Sequence, residues 1–208
     1  KGFMRLSLQP SMRSMVLSIE ELRAQAFGMR KEGLNSQQIA DELSLSQDTI
    51  SWLLTEGGTE DRPTDVRIGW RSIGVRPERI AAVGTIMADV ADEELGLADI
   101  DTVVGISING ITFAHEVARN LGAEFTIFRN VEGEDGQGVL SNKYGKVAGK
   151  KVVIIDDVLS SGVTMGKTIE AIRAVGGEVG LAVVLVNKTT RNEIKDVPLR
   201  GIIRAVPV

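Results

Sequence analysis

The chain has 208 residues, 43% of them hydrophobic, which is enough for one domain of ordinary size and a small accessory domain. A formal net charge of -4 excludes binding to nucleic acid through bulk charge, so such binding needs a local patch. The chain has no cysteine and one histidine, which excludes disulfides, cysteine metal sites and most histidine metal sites. No apolar run approaches the roughly 20 residues of a membrane span, and the opening stretch lacks a signal-peptide core, so we expect a soluble cytoplasmic protein.

The amino-terminal part of the chain reads as a tail over residues 1–16 followed by short helices within residues 17–55. Ser18 and Glu21 have capping-box spacing, which predicts that the first helix begins near Ile19. Glycine at position 33 is expected to close that helix. The residues predicted to cap the later helices are Asn35, Gln38 and Ser46.

The segment "QQIADELSLSQDTIS" (37–51) resembles the helix-turn-helix of transcription regulators, whose second helix enters the major groove of DNA. Its outward positions carry short polar side chains suited to base edges and phosphates. The residues predicted to contact DNA are Ser36, Gln37, Ser46, Gln47, Asp48, Thr49, Ser51 and Trp52. Because the charge of this segment is too weak for tight binding, we expect a homodimer that reads two half-sites. The alternative is a helical bundle for dimerisation or stability.

The composition changes at "TEGGTEDRPTD" (55–65), which predicts a linker over residues 56–63 and a second domain over residues 64–208. Apolar runs in this domain alternate with helical segments, a pattern typical of an α/β fold with a parallel sheet flanked by helices. The predicted strands are 101–106, 123–128, 151–156, 180–186 and 201–206, and the predicted helices are 77–95, 111–121 and 165–175. Ligands of such sheets bind at the carboxyl ends of the strands.

One stretch of this domain, "KVVIIDDVLSSGVTMGKT" (151–168), joins a buried strand to a polar loop. Gly162 and the Gly-Lys-Thr that follows nearly fit a P-loop, but the spacing is one residue too short and a serine replaces a required glycine. A P-loop would also leave Asp156 and Asp157 unexplained. Two carboxylates at the end of a buried strand are costly to desolvate unless they meet hydroxyls, cations or backbone donors.

The loop after these aspartates, "LSSGVT" (159–164), offers hydroxyl groups, a glycine and the N–H groups of a helix amino terminus, which together favour a phosphate dianion. Carboxylates for vicinal hydroxyls beside a phosphate loop describe a site for a ribose 5-phosphate. The alternative is an ordinary strand, turn and capped helix, which leaves the paired aspartates unexplained.

"VVIIDDVLSSGVT" (152–164) resembles the phosphoribosyl pyrophosphate (PRPP) signature of type I phosphoribosyltransferases. The resemblance implies that Asp156 and Asp157 contact the ribose hydroxyls and that PRPP binds with Mg²⁺. It also implies that the 5-phosphate is wrapped by Ser160, Ser161, Gly162, Val163 and Thr164. "GISINGI" (105–111) is similar to the pyrophosphate loop of the same family. The residues that this second likeness assigns to the ligand are Ser107, Ile108, Asn109 and Gly110.

Two segments depart from the pattern of orotate phosphoribosyltransferases, which the domain otherwise resembles. "TDVRIGWRS" (64–72) is similar to their hood strand, but Gly69 stands where an acidic residue is usual. "RNVEGEDG" (129–136) keeps Arg129, a predicted ligand contact, but lacks the lysines and histidine that neutralise the departing pyrophosphate. The loss of one such group costs about 2.7 to 4 kcal/mol, so the segment favours binding without turnover. The nearby Lys143 and Lys146 are candidate substitutes.

A helix-turn-helix before a phosphoribosyltransferase domain with an altered loop resembles the orotate-phosphoribosyltransferase-like transcription regulators of archaea. The resemblance implies a DNA-binding regulator that senses PRPP or a related phosphorylated ribose or nucleotide, without catalytic residues and without a metal site built from protein ligands alone. Two alternatives stay open. The chain is an active phosphoribosyltransferase for orotate or a purine, or it is a structural module with a vestigial pocket.

Overall fold

The structure is a computed structural model that describes residues 17–55, 63–130 and 138–206. The predicted tail and most of the predicted linker lie outside these ranges, as do the last residues of the altered loop. The described chain forms two compact units, of which the first contains three helices and the second contains the residues from Thr64 onward.

The first unit consists of α1 (Ile19–Lys31), α2 (Ser36–Leu43) and α3 (Gln47–Leu54). The expected capping box of α1 is present, because Ser18 and Glu21 each accept a hydrogen bond from the other's main-chain N–H. Asn35 and Gln38 exchange the same kind of hydrogen bonds at the start of α2. The core of the unit is formed by Ala26, Ile39, Leu43, Ile50 and Leu53, which are all buried. These contacts give a small helical bundle of the predicted kind.

The second unit is a sheet of seven strands with helices on its faces. The strands are β1 (Thr102–Ile106), β2 (Glu124–Arg129), β3 (Val139–Leu140), β4 (Lys151–Leu159), β5 (Glu178–Asn187), β6 (Glu193–Ile194) and β7 (Val197–Arg204). The helices are α4 (Arg71–Gly74), α5 (Pro77–Leu95), α6 (Gly110–Leu121) and α7 (Val163–Ala174). The strand order is β3-β2-β1-β4-β5-β7-β6, in which the two-residue strands β3 and β6 are antiparallel and the others parallel.

The sheet is buried on both faces, which explains the continuous apolar runs of the sequence. One apolar cluster contains Ile154, Ile169 and Val184, and the other contains Phe113, Val117 and Ile155. The predicted fold class is confirmed, with a small all-helical unit before a parallel sheet. Within the described residues, no helix is long and apolar enough to cross a membrane.

Most predicted elements agree with the structure to within a few residues, but four short elements and one strand boundary do not. The sequence did not predict α4, β3, β6 or a 3-10 helix at Leu97–Asp99, which are too short to show a period. It also placed the last strand at 201–206, whereas β7 begins at Val197 and continues past Pro198. A proline is tolerated near the start of a strand, and it lies opposite the short edge strand β6.

The packing of α5 on α6 predicts that Gly84→Ala destabilises the second unit. A Cβ atom at Gly84 would lie 2.4 Å from Cβ of Glu116, which the α6 backbone holds in place. Overpacking of this kind costs about 1–3 kcal/mol. Gly28→Ala in α1 is the control, because no atom lies within 4 Å of the new methyl group. It should raise stability by up to about 1 kcal/mol through helix propensity. Urea denaturation measures both, and equal effects of the two variants would contradict the packing argument.

Candidate functional site

The paired aspartates lie near the carboxyl end of the central strand β4, where the sequence placed them. The strand continues through Asp156 and Asp157 to Leu159, and the main-chain N–H of Asp157 donates to Oδ1 of Asp156 at 2.9 Å. Asp156 is half-buried, whereas Asp157 is only 7% exposed. The two carboxylates are therefore adjacent but lie in different surroundings.

Asp157 is held by a tryptophan that the sequence reading did not assign to the site. Nε1 of Trp70 donates to Oδ2 of Asp157 at 2.9 Å, and the indole ring lies 5.3 Å from the ring of Phe113. Burial raises the pKa of Asp157 above that of an ordinary aspartate, while hydrogen bonds from Val158 and Trp70 oppose the shift. Further hydrogen-bond donors, supplied by a ligand, would therefore stabilise this carboxyl group.

The predicted phosphate loop connects β4 to the amino terminus of α7. Gly162 caps α7 with a φ of 81°, and a Cβ atom there would lie 2.7 Å from Cδ1 of Ile194. The positive φ favours glycine at this position, and a larger residue would also require the Ile194 side chain to shift. Because the first N–H groups of a helix have no intrahelical partner, the loop presents main-chain donors beside the half-buried Ser160 and Thr164.

A cavity of about 740 Å³ adjoins this loop and is lined on its other side by residues that follow β5. Its cationic side chains are Lys167, Arg191 and Lys195. Lys195 pairs with Glu170, and Nη1 of Arg191 donates to the main-chain oxygen of Ser161 at 3.4 Å. The phosphate loop therefore lies in surroundings that include positive charge.

The predicted pyrophosphate loop follows β1 and meets Asp156. The peptide bond between Ser107 and Ile108 is cis, and the side chain of Ile108 is exposed. A Cβ atom at Gly110 would lie 2.9 Å from Oδ1 of Asp156 and 2.8 Å from the main-chain oxygen of Ile155. Only glycine allows α6 to begin this close to β4, so the fold brings the two predicted ligand loops together. Arg129, by contrast, ends β2 with an exposed side chain.

The segment before α4 is fixed at a second place by an ion pair. The Nζ atom of Lys188 contacts Oδ1 of Asp65, and the two side chains are 5% and 8% exposed. Lys188 follows β5 directly, and its main-chain N–H donates to the oxygen of Leu159 at 2.9 Å. Lys188 could have been identified as a candidate site residue, because it is a charged residue directly after a buried strand. The sequence contains no signal that predicts its ion pair with Asp65.

The proposal that Lys146 replaces the missing cations of the altered loop is wrong. The main-chain oxygen of Lys146 accepts a hydrogen bond from Oγ1 of Thr102 at 3.0 Å. Thr102 begins β1, so Lys146 lies at the amino-terminal edge of the sheet, opposite the ligand loops. A lysine side chain is too short to span the strand, which rises about 3.3 Å per residue.

In the first unit, most of the predicted DNA-contacting residues lie on the surface, but Thr49 does not. Gln47, Asp48 and Ser51 are exposed, whereas Ser36, Gln37, Ser46 and Trp52 are half-buried. The outward placement of Thr49 is wrong, because it is only 8% exposed. The reason is helical phase, since residues 49 and 53 are four apart and share the inner face of α3.

Three of the predicted DNA contacts, Trp52, Gln47 and Gln37, are also engaged within the unit. The guanidinium of Arg23 lies 5.5 Å from the centroid of the Trp52 ring, and its Nη1 donates to the oxygen of Thr55. Gln47 hydrogen-bonds Gln37 across the turn between α2 and α3. These contacts hold α3 against α1 and α2, and they leave Ser51 and Asp48 as its most accessible polar side chains.

The fold and the pair of ligand loops define a domain of the type I phosphoribosyltransferase class, and residues 69–206 match the phosphoribosyl transferase domain family. The transcriptional regulator GfcR of Thermoplasma acidophilum is 40% identical over 190 residues, which cover 90% of this chain and 96% of the relative. GfcR of Archaeoglobus fulgidus is 38% identical over 195 residues, covering 91% and 98%. The chain therefore belongs to the GfcR family of transcriptional regulators.

Two solved structures with the same fold are those of orotate phosphoribosyltransferases. Orotate phosphoribosyltransferase from Aeropyrum pernix has a TM-score of 0.55 and 24% identity, covering 72% of this chain and 83% of its own. The orotate phosphoribosyltransferase of Mycobacterium tuberculosis in complex with PRPP has a TM-score of 0.54 and 17% identity, covering 66% and 80%. At these identities the likeness shows the fold alone.

The buried carboxylate predicts that Asp157→Asn stabilises the protein at neutral pH. The pKa of Asp157 is raised on folding, so ionisation favours the unfolded chain once the pH exceeds the unfolded pKa of about 3.9. Wild type then loses about 1.4 kcal/mol for each unit by which the folded pKa is raised, whereas the uncharged amide loses nothing.

Thermal unfolding across pH tests this expectation. The advantage of Asp157→Asn should grow as the pH rises from about 4 and vanish in acid. Asp89→Asn, which removes the same charge from an exposed position of α5, is the matched control. An identical pH dependence in the two variants would contradict the argument.

Proposed function

We propose that the protein is a cytoplasmic, DNA-binding transcriptional regulator that senses PRPP or a related phosphorylated ribose or nucleotide. The observation that carries the proposal is the meeting of Asp156 and Gly110, which joins the two predicted ligand loops in a chain that belongs to a regulator family. Carboxylates, main-chain donors and a glycine-capped helix form one site at the carboxyl edge of the sheet.

The chemistry of this edge supports a sugar phosphate as the ligand. Asp156 and Asp157 are hydrogen-bond acceptors that suit vicinal hydroxyls, and the loop over residues 160–164 suits the 5-phosphate. The complex of a structural neighbour with PRPP supports the same ligand class for this fold. Arg191 and Lys167 add positive charge beside the loop.

Mg²⁺ fits the residues present, although the described residues contain no cluster of three or more acidic, histidine or cysteine side chains that could hold a metal by themselves. Mg²⁺ is usually bound by one or two carboxylates together with the phosphates of its ligand. Asp156 and Asp157 would hold it, and the ion would neutralise part of the diphosphate charge.

The DNA-binding role is supported by the family and by the first unit. α3 carries exposed Gln47, Asp48 and Ser51 in the place of a recognition helix. In the proposed homodimer, the ligand changes the spacing of two such helices. It can do so only if it binds the two conformations with different affinity.

The decisive experiment measures DNA affinity with and without Mg²⁺-PRPP, by anisotropy of labelled fragments from the promoters of the protein's own genome. PRPP should change the affinity of one fragment at least about fivefold, the lower end of ordinary allosteric coupling, and inorganic phosphate should not. Gly162→Ala should abolish both this effect and the PRPP signal in calorimetry, because Ala is strained at a φ of 81° and meets Ile194.

Gly149→Ala is the control for the backbone strain in that experiment. Gly149 also has a positive φ, of 68°, but no atom lies within 4 Å of the new methyl group. PRPP binding that survives Gly162→Ala, or an equal response to phosphate, would contradict the sensing role.

One observation favours a second function, which is the transfer of ribose 5-phosphate from PRPP to orotate or a purine. The aspartates and both ligand loops are in place, so the ligand chemistry is complete apart from the cations. Pyrophosphate release with a panel of nucleobases distinguishes the two functions. Release that disappears on replacing Asp156 and Asp157 by Asn would establish the enzyme, whereas binding without release supports the regulator.

The recognition role of α3 predicts that Ser51→Glu weakens DNA binding. The introduced carboxylate would be repelled by the DNA phosphates, and the contact made by the serine hydroxyl would be lost. We therefore expect the affinity for DNA to fall about tenfold. Ser72→Glu makes the same change at an exposed position of α4 and should leave DNA binding unchanged. Anisotropy with a mixed-sequence duplex at fixed low salt measures both. Equal losses would place the DNA interface elsewhere.

A further inference from the structure

Trp70 holds the carboxylate that the ligand is proposed to use. Its indole N–H donates to Oδ2 of Asp157 at 2.9 Å, from a position 87 residues earlier in the chain. The ring packs against Phe113, with 5.3 Å between the ring centroids. The indole therefore already makes, with one oxygen of Asp157, the contact that a sugar hydroxyl would make.

The surroundings of Asp157 leave little space for both partners. The residue is 7% exposed, and its main-chain N–H is bonded to Oδ1 of Asp156. The indole N–H occupies Oδ2, so a hydroxyl that binds this oxygen in the buried site takes the place of the indole. The exchange is chemically even, because each partner donates one hydrogen bond to the same charged acceptor.

The indole is also held in a way that permits it to move. A Cβ atom at Gly74 would lie 2.7 Å from Cζ3 of Trp70, so the ring rests against the backbone of α4. Residues 63–70 have no regular secondary structure, and the buried pair of Asp65 and Lys188 fixes their far end. The indole can therefore leave Asp157 by rotation of the side chain, while the main-chain oxygen of Trp70 keeps its hydrogen bonds from Ile73 and Gly74 in α4.

We propose that Trp70 is an internal competitor for Asp157, and that a sugar phosphate with vicinal hydroxyls binds by displacing the indole from this carboxylate. The inference rests on the proposed function, because it takes the ligand to be such a sugar phosphate. It adds a basis for specificity. A phosphorylated compound that lacks the hydroxyl facing Asp157 leaves the indole in place.

The first test is calorimetry of Mg²⁺-PRPP binding at one fixed pH. Trp70→Phe keeps an aromatic ring against Phe113 but removes the donor, so the ligand no longer breaks a hydrogen bond. We expect binding about tenfold tighter than wild type, which corresponds to ~1.4 kcal/mol. Asp157→Asn should instead weaken binding at least about tenfold, since it removes the charged acceptor.

A matched pair of glycine variants tests the same idea without changing donor or acceptor. Gly74→Ala pushes the ring away from its place and should tighten binding severalfold. Gly69→Ala lies in the same part of the chain with no atom within 4 Å of the new methyl group, and it should leave the affinity unchanged.

Fluorescence gives a readout that a purely structural role would not change. The chain has two tryptophans, so Trp52→Phe leaves Trp70 as the only one. Its emission should move to longer wavelength when PRPP binds, and the emission of Trp52 in the Trp70→Phe protein should not.

The results of these experiments distinguish failure of the inference from failure of the proposed function. If wild type binds PRPP but neither Trp70→Phe nor Gly74→Ala binds more tightly and the Trp70 emission stays constant, the indole remains on Asp157 and the inference is wrong, while the proposed function stands. If wild type does not bind PRPP or another sugar phosphate with vicinal hydroxyls, the proposed function is wrong and the inference fails with it.

Discussion

The architecture of the second unit depends on the burial of one carboxylate near the end of its central strand. The carboxyl group of Asp157 is 7% exposed, and it needs hydrogen-bond partners because an unpaired polar group is costly to bury. One donor, Trp70, comes from a segment far away in sequence, which must therefore cross the carboxyl edge of the sheet. Gly110 allows the start of α6 to approach the same strand end. The segment that carries Trp70 and the start of α6 thus both meet the end of β4, at the two neighbouring aspartates.

Local patterns predicted the parts of this site that neighbouring residues determine. The run from Lys151 to Thr164 predicted strand, loop and helix in the right order, and the spacing of Ser18 and Glu21 predicted the cap of α1. Such features depend on contacts over a few residues. Short strands such as β3 were not predicted, because two residues are too few to show a hydrophobic period.

Contacts between distant segments could not be predicted in the same way. Trp70 and Asp157 are brought together by the fold, and so are Asp65 and Lys188. The error at Thr49 has a different origin, because threonine is usually a polar surface residue although here it is buried with Leu53 on the inner face of α3. Lys146 was chosen because it is close in sequence to the altered loop. Closeness in sequence does not determine at which edge of the sheet a residue lies, and Lys146 lies beside the start of β1.

The two ends of the sheet have a consequence for assembly. Beside β2, the short strand β3 and the N–H groups of Ser141 and Gly145 occupy main-chain acceptors, and the two-residue β6 covers the start of β7. Short edge strands of this kind offer a neighbouring molecule fewer free main-chain groups, which opposes fibrous aggregation. In the proposed homodimer, side chains on helices and loops would then join the subunits, and the stability of the pair could change in evolution without any change to the sheet.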